Sequence, residues 1–323
     1  MANRIWDEHS GIQRDSVWNF RRNQVSAKVA LTDLGINTHM MTVAKRLGFA
    51  AMTVPIAGVA LAQTAIEDLE IVGAPTLGAT GFQPAVTELA RDLQWLDGWL
   101  LVMCATISLF VVGLIGWVAI RYNKKSNPIP ATFTHNSPLE VAWTIVPIVI
   151  LVFIGAFSLP VLFKQQEIPD GDVYITATGN QWFWTYEYTD ENVFFESYMI
   201  GYGEGNLNAG IVGQLEEAGY SRGEFRLATD TAVVVPMGAT VVMTITGADV
   251  IHSWTIPAFG VKQDAVPGRF AQLWFNAERE GVYFGQCSEL CGKDHAFMPI
   301  TVKVVHPDVY EEWLVGAKEE FPA

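Results

Sequence analysis

Five side chains carry recognisable metal chemistry. Cys287, Cys291, His295 and Met298 lie in the run Gly285-Gln-Cys-Ser-Glu-Leu-Cys-Gly-Lys-Asp-His-Ala-Phe-Met298, and His252 precedes them in Asp249-Val-Ile-His-Ser-Trp254. The set is two thiols, two imidazoles and a thioether. Two nearby cysteines in an exported domain can form a disulfide. Cys-x3-Cys followed by histidine also falls within zinc-site spacings. A methionine is of no use to zinc, whereas a soft Cys/His/Met set suits copper. A single-copper electron-transfer site uses one cysteine, so this set has one too many. Two thiolates can instead bridge two coppers, each ion completed by one imidazole and one weak ligand. Sharing one unpaired electron over both metals would keep the geometry change on electron transfer small. Spacing alone leaves copper, zinc and a disulfide open, with the methionine favouring copper.

The chain that must position these groups has 323 residues; half are hydrophobic and only 17% are charged. Its mean hydropathy is positive. These values exclude a disordered chain and argue against an ordinary soluble domain. Residues 1–163 hold 11 basic and 11 acidic side chains, and residues 164–323 hold 9 against 23. The whole net charge of −14 therefore belongs to the C-terminal half. That disfavours nucleic acid and favours a basic partner. Three unevenly spaced cysteines make no disulfide framework. Cys104, inside an apolar run, reads as a small packed hydrophobe.

Residues 1–39 are polar and without a sustained period. From Met40 the pattern becomes that of a secretory signal: Lys45 and Arg46, an apolar stretch Leu47–Leu61, then Ala60-Leu61-Ala62 before Gln63. This predicts a signal peptide over 40–62, a mature start at Gln63 and an external segment over 63–97. Translation from Met40 or Met41 would make residues 1–39 a mis-assigned extension. Gly98–Ile120 and Val141–Phe163 are each 23 residues without a charge, long enough to span a bilayer. The loop between them carries Arg121, Lys124 and Lys125 against Glu140 alone, which predicts a cytoplasmic loop. The expectation is a transmembrane hairpin over 98–163 with both ends outside, and an external domain over 164–323.

That domain reads as mostly β. Strands are predicted over Val173–Thr178, Trp182–Tyr188, Ala232–Pro236, Thr240–Thr246, Ser253–Ile256, Phe270–Phe275, Val282–Phe284 and Ile300–Val305. Met199–Arg222 is glycine-rich and reads as a long loop, and Pro307–Ala317 as a terminal helix. Many short strands suggest a sandwich or barrel.

The motif Cys-Ser-Glu-Leu-Cys-Gly-x-x-His-x-x-Met, the upstream His-Ser-Trp and the two N-terminal helices resemble subunit II of cytochrome c oxidase, in the bacterial form close to the mitochondrial one. The likeness runs from Gln63 to the C-terminus. It implies a two-helix transmembrane hairpin followed by an all-β, cupredoxin-like Greek-key domain holding a binuclear copper A centre. It implies His252, Cys287, Cys291, His295 and Met298 as side-chain ligands and Glu289 as a ligand through its backbone carbonyl. The Glu289 side chain would also reach a magnesium ion shared with subunit I. Heme would lie only in subunit I. The implied partners are subunits I and III, cytochrome c and the bacterial inner membrane, with the copper domain on the periplasmic side.

The same resemblance assigns further roles. Trp182, in Gln181-Trp-Phe-Trp-Thr-Tyr-Glu-Tyr188, matches the tryptophan through which electrons arrive from cytochrome c, although Phe183 stands where tyrosine is usual. An aromatic in such a strand would otherwise read as core. Glu187, Glu196, Asp230 and Asp249 match acids that dock cytochrome c; without the resemblance they read as solvated surface charge. Glu140 matches the entrance of a proton path, although an acid in a first helical turn also suits the helix dipole. Lys262 and Asp264 match positions near the heme-facing interface, Asp264 with a role in proton exit. The intact ligand set argues against the related copper-free quinol oxidases. The membrane hairpin argues against nitrous oxide reductase. No Cys-x-x-Cys-His occurs, so no c-type heme is expected on this chain.

Overall fold

The computed structural model describes Ile66 and residues 68–323. The expected extension over 1–39, the signal peptide over 40–62 and the start at Gln63 lie outside the described residues.

Two long helices, α1 (Glu88–Arg121) and α2 (Ser137–Gln166), contain the two uncharged runs. The side chain of Thr87 caps α1 by accepting from the Ala90 amide, and Asn136 caps α2 by accepting from Leu139. At about 1.5 Å per residue each helix exceeds the roughly 30 Å hydrocarbon core. Their most apolar stretches have mean hydropathies of 2.4 and 2.7 and bury nothing within the chain, so lipid or partner helices must cover them. The pair meets through Trp95 and Trp99 against Phe157, with ring centroids 6.1 and 5.8 Å apart. Pro147 and Pro160 lie inside α2, where neighbouring helices can satisfy the freed carbonyls.

The β domain has eleven strands among the described residues: β1 (Ile71–Gly73), β2 (Val173–Asn180), β3 (Phe183–Tyr188), β4 (Val193–Ser197), β5 (Val233–Pro236), β6 (Thr240–Gly247), β7 (His252–Ile256), β8 (Val261–Ala265), β9 (Ala271–Asn276), β10 (Gly281–Gln286) and β11 (Pro299–Val305). One sheet has the order β4-β3-β2-β6-β9 and a second β1-β10-β11-β5, while β7 and β8 form a ribbon. Alternation sends Ile175, Ala177, Trp184, Tyr186 and Tyr188 inward. Trp254, Phe259 and Phe275 stack in the same core.

All eight predicted strands are present. β1, β4 and β8 are additional, and β1 joins the second sheet beside β10 in parallel. Met199–Arg222 is not a plain loop. It holds α3 (Ala209–Glu217), capped by Asn208. Ile211 and Leu215, four apart on one face, pack with Ile200, Tyr220, Val282 and Phe284. This second apolar cluster covers the outer side of β10, which explains why all of β11 and nearly all of β10 are buried. The terminal helix α4 runs Pro307–Glu320, three residues beyond the expectation.

Hairpin and β domain are joined by specific contacts. Thr87 Oγ1 donates to the Phe259 carbonyl at 2.7 Å, and the Val86 amide donates to Ala258 at 3.1 Å. Arg91 makes two 2.8 Å bonds to Glu278. Lys164 pairs with both Glu88 and Asp92, and Trp274 Nε1 donates to the Lys164 carbonyl.

Candidate metal centre

The ligand loop is the connection between two antiparallel neighbours, β10 and β11. Their register pairs Gln286 with Pro299, so Cys287 and Met298 flank the mouth of the loop. β7 brings in His252 from the side. That approach needs Gly285, because a Cβ there would fall 1.8 Å from the Thr255 carbonyl oxygen.

The five side chains named from the sequence come together. Cys287 Sγ lies 3.9 Å from Cys291 Sγ and 3.9 Å from His252 Nδ1. Cys291 Sγ lies 3.5 Å from His295 Nδ1 and 3.5 Å from Met298 Sδ. The Glu289 carbonyl oxygen is 3.4 Å from Cys287 Sγ. His252, Cys287, Cys291 and Met298 are buried, and His295 is half-buried. The donor atoms of His252, Cys287 and Cys291 all lie within 4.8 Å of one another, as a shared metal site requires.

This geometry bears on the readings the spacing left open. The cysteines are unbonded, their sulfurs almost twice a disulfide length apart. Six donors exceed the four of a closed zinc site. The donors also divide evenly. Each sulfur has one imidazole beside it, and each has one weak donor, the Glu289 carbonyl for Cys287 and the Met298 thioether for Cys291. A soft Cys/His/Met donor set of this kind suits copper.

Electrostatics follow the same geometry. Burial opposes ionisation of Cys287, but its contact with the His252 imidazole and the Ser253 backbone outweigh burial and lower its pKa. Cys291 moves the other way: burial and the neighbouring Cys287 charge hold its proton on. The first proton therefore leaves the pair easily and the second leaves only with help, which a bound cation would give. Burial disfavours a charged His252, yet its contacts with Cys287 and Asp249 raise its pKa overall. Burial pushes the Asp249 carboxyl up, but its own bonds to the His252 ring and to the Val250 and Gln181 amides bring it below its ordinary value.

The remaining residues named from the sequence have definite positions. Trp182 is half-buried between β2 and β3, with Nε1 3.3 Å from the Cys291 carbonyl oxygen. Glu187 and Glu196 share the outward face of β3 and β4. Glu196 accepts from the Tyr198 hydroxyl at 2.9 Å, and Asp230 accepts from the Tyr198 amide at 2.9 Å. Asp249 is committed: Oδ1 meets His252 Nε2 at 2.9 Å and accepts from Val250, while Oδ2 accepts from the Gln181 amide. Asp264, on β8, accepts from Ser253 Oγ at 2.9 Å, and Lys262 is exposed on the same strand. Glu140 lies in the first turn of α2, where it accepts from the Asn136 amide at 3.1 Å. It is far along the chain from the ligand loop and stands apart from it on the hairpin. Sequence reasoning missed Gln181, whose side chain donates to the Cys291 carbonyl at 2.7 Å. Its only signal was adjacency to Trp182.

Comparison with known proteins agrees with this geometry. Residues 75–161 match the model of the cytochrome c oxidase subunit II transmembrane domain, and residues 173–305 that of its periplasmic domain. Cytochrome c oxidase subunit 2 of Cereibacter sphaeroides is 63% identical over 256 residues, 78% of this chain and 84% of that protein. The Oenothera berteroana subunit 2 is 39% identical over 241 residues, 72% of this chain and 88% of that protein. The crystal structure of the periplasmic domain of subunit II of cytochrome oxidase from Bradyrhizobium japonicum is 41% identical, covers 48% of this chain and 99% of that one, and has a TM-score of 0.40. With a membrane hairpin, a cupredoxin-like β domain and a clustered Cys/His/Met donor set, the chain belongs to the cytochrome c oxidase subunit II family.

Proposed function

We propose that this chain takes electrons from cytochrome c on the periplasmic face of a bacterial inner membrane and passes them to heme held by subunit I, within a complex that also contains subunit III. The observation that carries this reading is the even division of six donors about two sulfurs 3.9 Å apart. Cys287 and Cys291 would hold a copper pair through their thiolates. His252, His295, Met298 and the Glu289 carbonyl would complete it. When bound, the pair supplies a one-electron couple.

The protein's own groups give that couple its setting. Burial of Cys287, Cys291, His252 and Met298 excludes water and fixes the donors before metal arrives, which limits rearrangement on electron transfer. Trp182 receives the electron at the half-buried rim, and its bond to the Cys291 carbonyl leads to a ligand residue. Glu187, Glu196, Asp230 and Asp249 contribute to the negative field that steers a basic donor. The Glu289 side chain would hold magnesium at the contact with subunit I. Glu140 would open a proton path at the cytoplasmic loop, and Asp264, tied to Ser253, would take part in proton exit. Residues 40–62 would direct export, leaving 63–97 and 164–323 outside and 98–163 in the membrane.

The test is copper loading of the full chain in detergent, reading the metal-to-protein ratio and the electron-spin spectrum. Two coppers sharing one unpaired electron are expected, and Cys287→Ser should abolish that signature. A single localised copper, or preference for zinc, would overturn the reading.

A further inference from the structure

We propose that Gly179 is a positioning residue for the metal centre: the absence of a side chain there sets where the His252 imidazole stands. The inference rests on the copper reading above and adds a residue to it that makes no metal contact.

Gly179 lies near the end of β2, the middle strand of the five-stranded sheet. A Cβ built on it would fall 2.8 Å from both Cγ and Cδ2 of His252 and 2.9 Å from its Cβ. Carbon atoms pack at about 3.5–4.0 Å, so one methyl group cannot fit without movement. The strand has little room to yield. Gly179 is paired with Trp184 on β3 and Gly247 on β6, and its carbonyl accepts from the Ala248 amide at 2.9 Å.

The ring cannot yield freely either. It is fully buried. Nε2 is held by Asp249 Oδ1 at 2.9 Å, and the edge of Trp184 stands 6.0 Å away at 64°. Asp249 is itself anchored by the Val250 and Gln181 amides. The imidazole is thus gripped between Gly179 and Asp249, leaving Nδ1 facing Cys287. A methyl group at 179 would turn or shift the ring, and the change would be felt at Nδ1. Such outer contacts orient a ligand and tune the metal it holds.

The test has two arms on the full chain. In the copper-free chain, thermal unfolding is compared for the parent, Gly179→Ala, His252→Ala and the double variant. A collision with the ring predicts that Gly179→Ala lowers the Tm and that removing the ring in the double variant recovers most of that loss. A double variant that folds where Gly179→Ala does not gives the same answer. Additive losses, or a double variant that also fails to fold, would overturn the inference. In the copper-loaded chain, Gly179→Ala should keep two coppers while changing the hyperfine pattern and the reduction potential. An unchanged spectrum and potential would overturn it. If the parent chain holds no copper pair, the functional reading fails, and the copper-free arm still decides whether Gly179 positions His252.

Discussion

Trp182 and Cys291 are joined by a hydrogen bond: the indole Nε1 donates to the Cys291 carbonyl oxygen at 3.3 Å. Gln181 Nε2 reaches the same oxygen at 2.7 Å, and Lys293 Nζ lies 5.1 Å above the indole ring. The indole therefore meets the ligand loop twice, at the Cys291 carbonyl through its N–H and at the exposed Lys293 ammonium over its ring. Trp182→Leu should slow electron transfer from cytochrome c by at least about tenfold, equivalent to about 1.4 kcal/mol of barrier. Copper content and donor KM should stay unchanged. Stopped-flow oxidation of cytochrome c by the assembled complex measures this. Loss of copper instead would make Trp182 a structural residue of the loop.

Glu187 and Glu196 stand on one outward sheet face, and charges so placed act mainly on association. Neutralising both as glutamine should lower the association rate of a basic donor several-fold at low salt. The difference should close near 1 M salt, where the screening length falls to about 3 Å. Asp249 differs because its oxygens already serve His252 and Gln181. Asp249→Asn should change the copper spectrum at every salt concentration, whereas the Glu187 and Glu196 variants should leave it untouched.

The contrast between these acids marks what the sequence can convey. Cys287, Cys291, His295 and Met298 were legible because ligand chemistry is local and their spacing is short. The spanning helices were legible because 23 uncharged residues have few other uses. Asp249 looked like any surface acid, since its partners His252 and Gln181 are assigned by the fold of β2 against β7. Gly179 gave no signal because its role is the space it leaves. α3 was hidden by surrounding glycines, although Ile211 and Leu215 have helical spacing. β1 is three residues long and exists only through its pairing with β10, a contact no local pattern reports.

Tyr188 supplies a test of the core beneath the outward face of β3 and β4. Its hydroxyl donates to the Val234 carbonyl at 2.7 Å and accepts from the Val234 amide at 2.9 Å, with no exposure to solvent. One side chain thus satisfies both polar groups of a residue on the opposite sheet. Tyr188→Phe keeps the ring and strands both groups, which should cost about 2–3 kcal/mol. Thermal unfolding of the full chain should show a Tm several degrees lower with unchanged copper content. An unchanged Tm would mean that water or a neighbour replaces the hydroxyl.

Arg91 and Glu278 fasten the outer end of α1 to the loop between β9 and β10 by two parallel 2.8 Å bonds. The Arg91 hydrogen bond holds the Glu278 carboxyl below its ordinary pKa. A carboxylate whose folded-state pKa is lowered adds stability that is fully present above its unfolded value, about 4.3 for glutamate. That contribution is lost as the pH falls through the lowered value. Both side chains are 49% exposed, so screening limits the pair to at most about 1 kcal/mol. Glu278→Gln should therefore cost about 0.5 kcal/mol at pH 7. The parent and variant curves should converge in acid, once Glu278 is protonated, and at high salt. Chemical unfolding of the full chain as a function of pH checks this. A gap that stayed constant with pH would assign Glu278 a packing role and leave Thr87, Lys164 and Trp274 to hold the β domain on the hairpin.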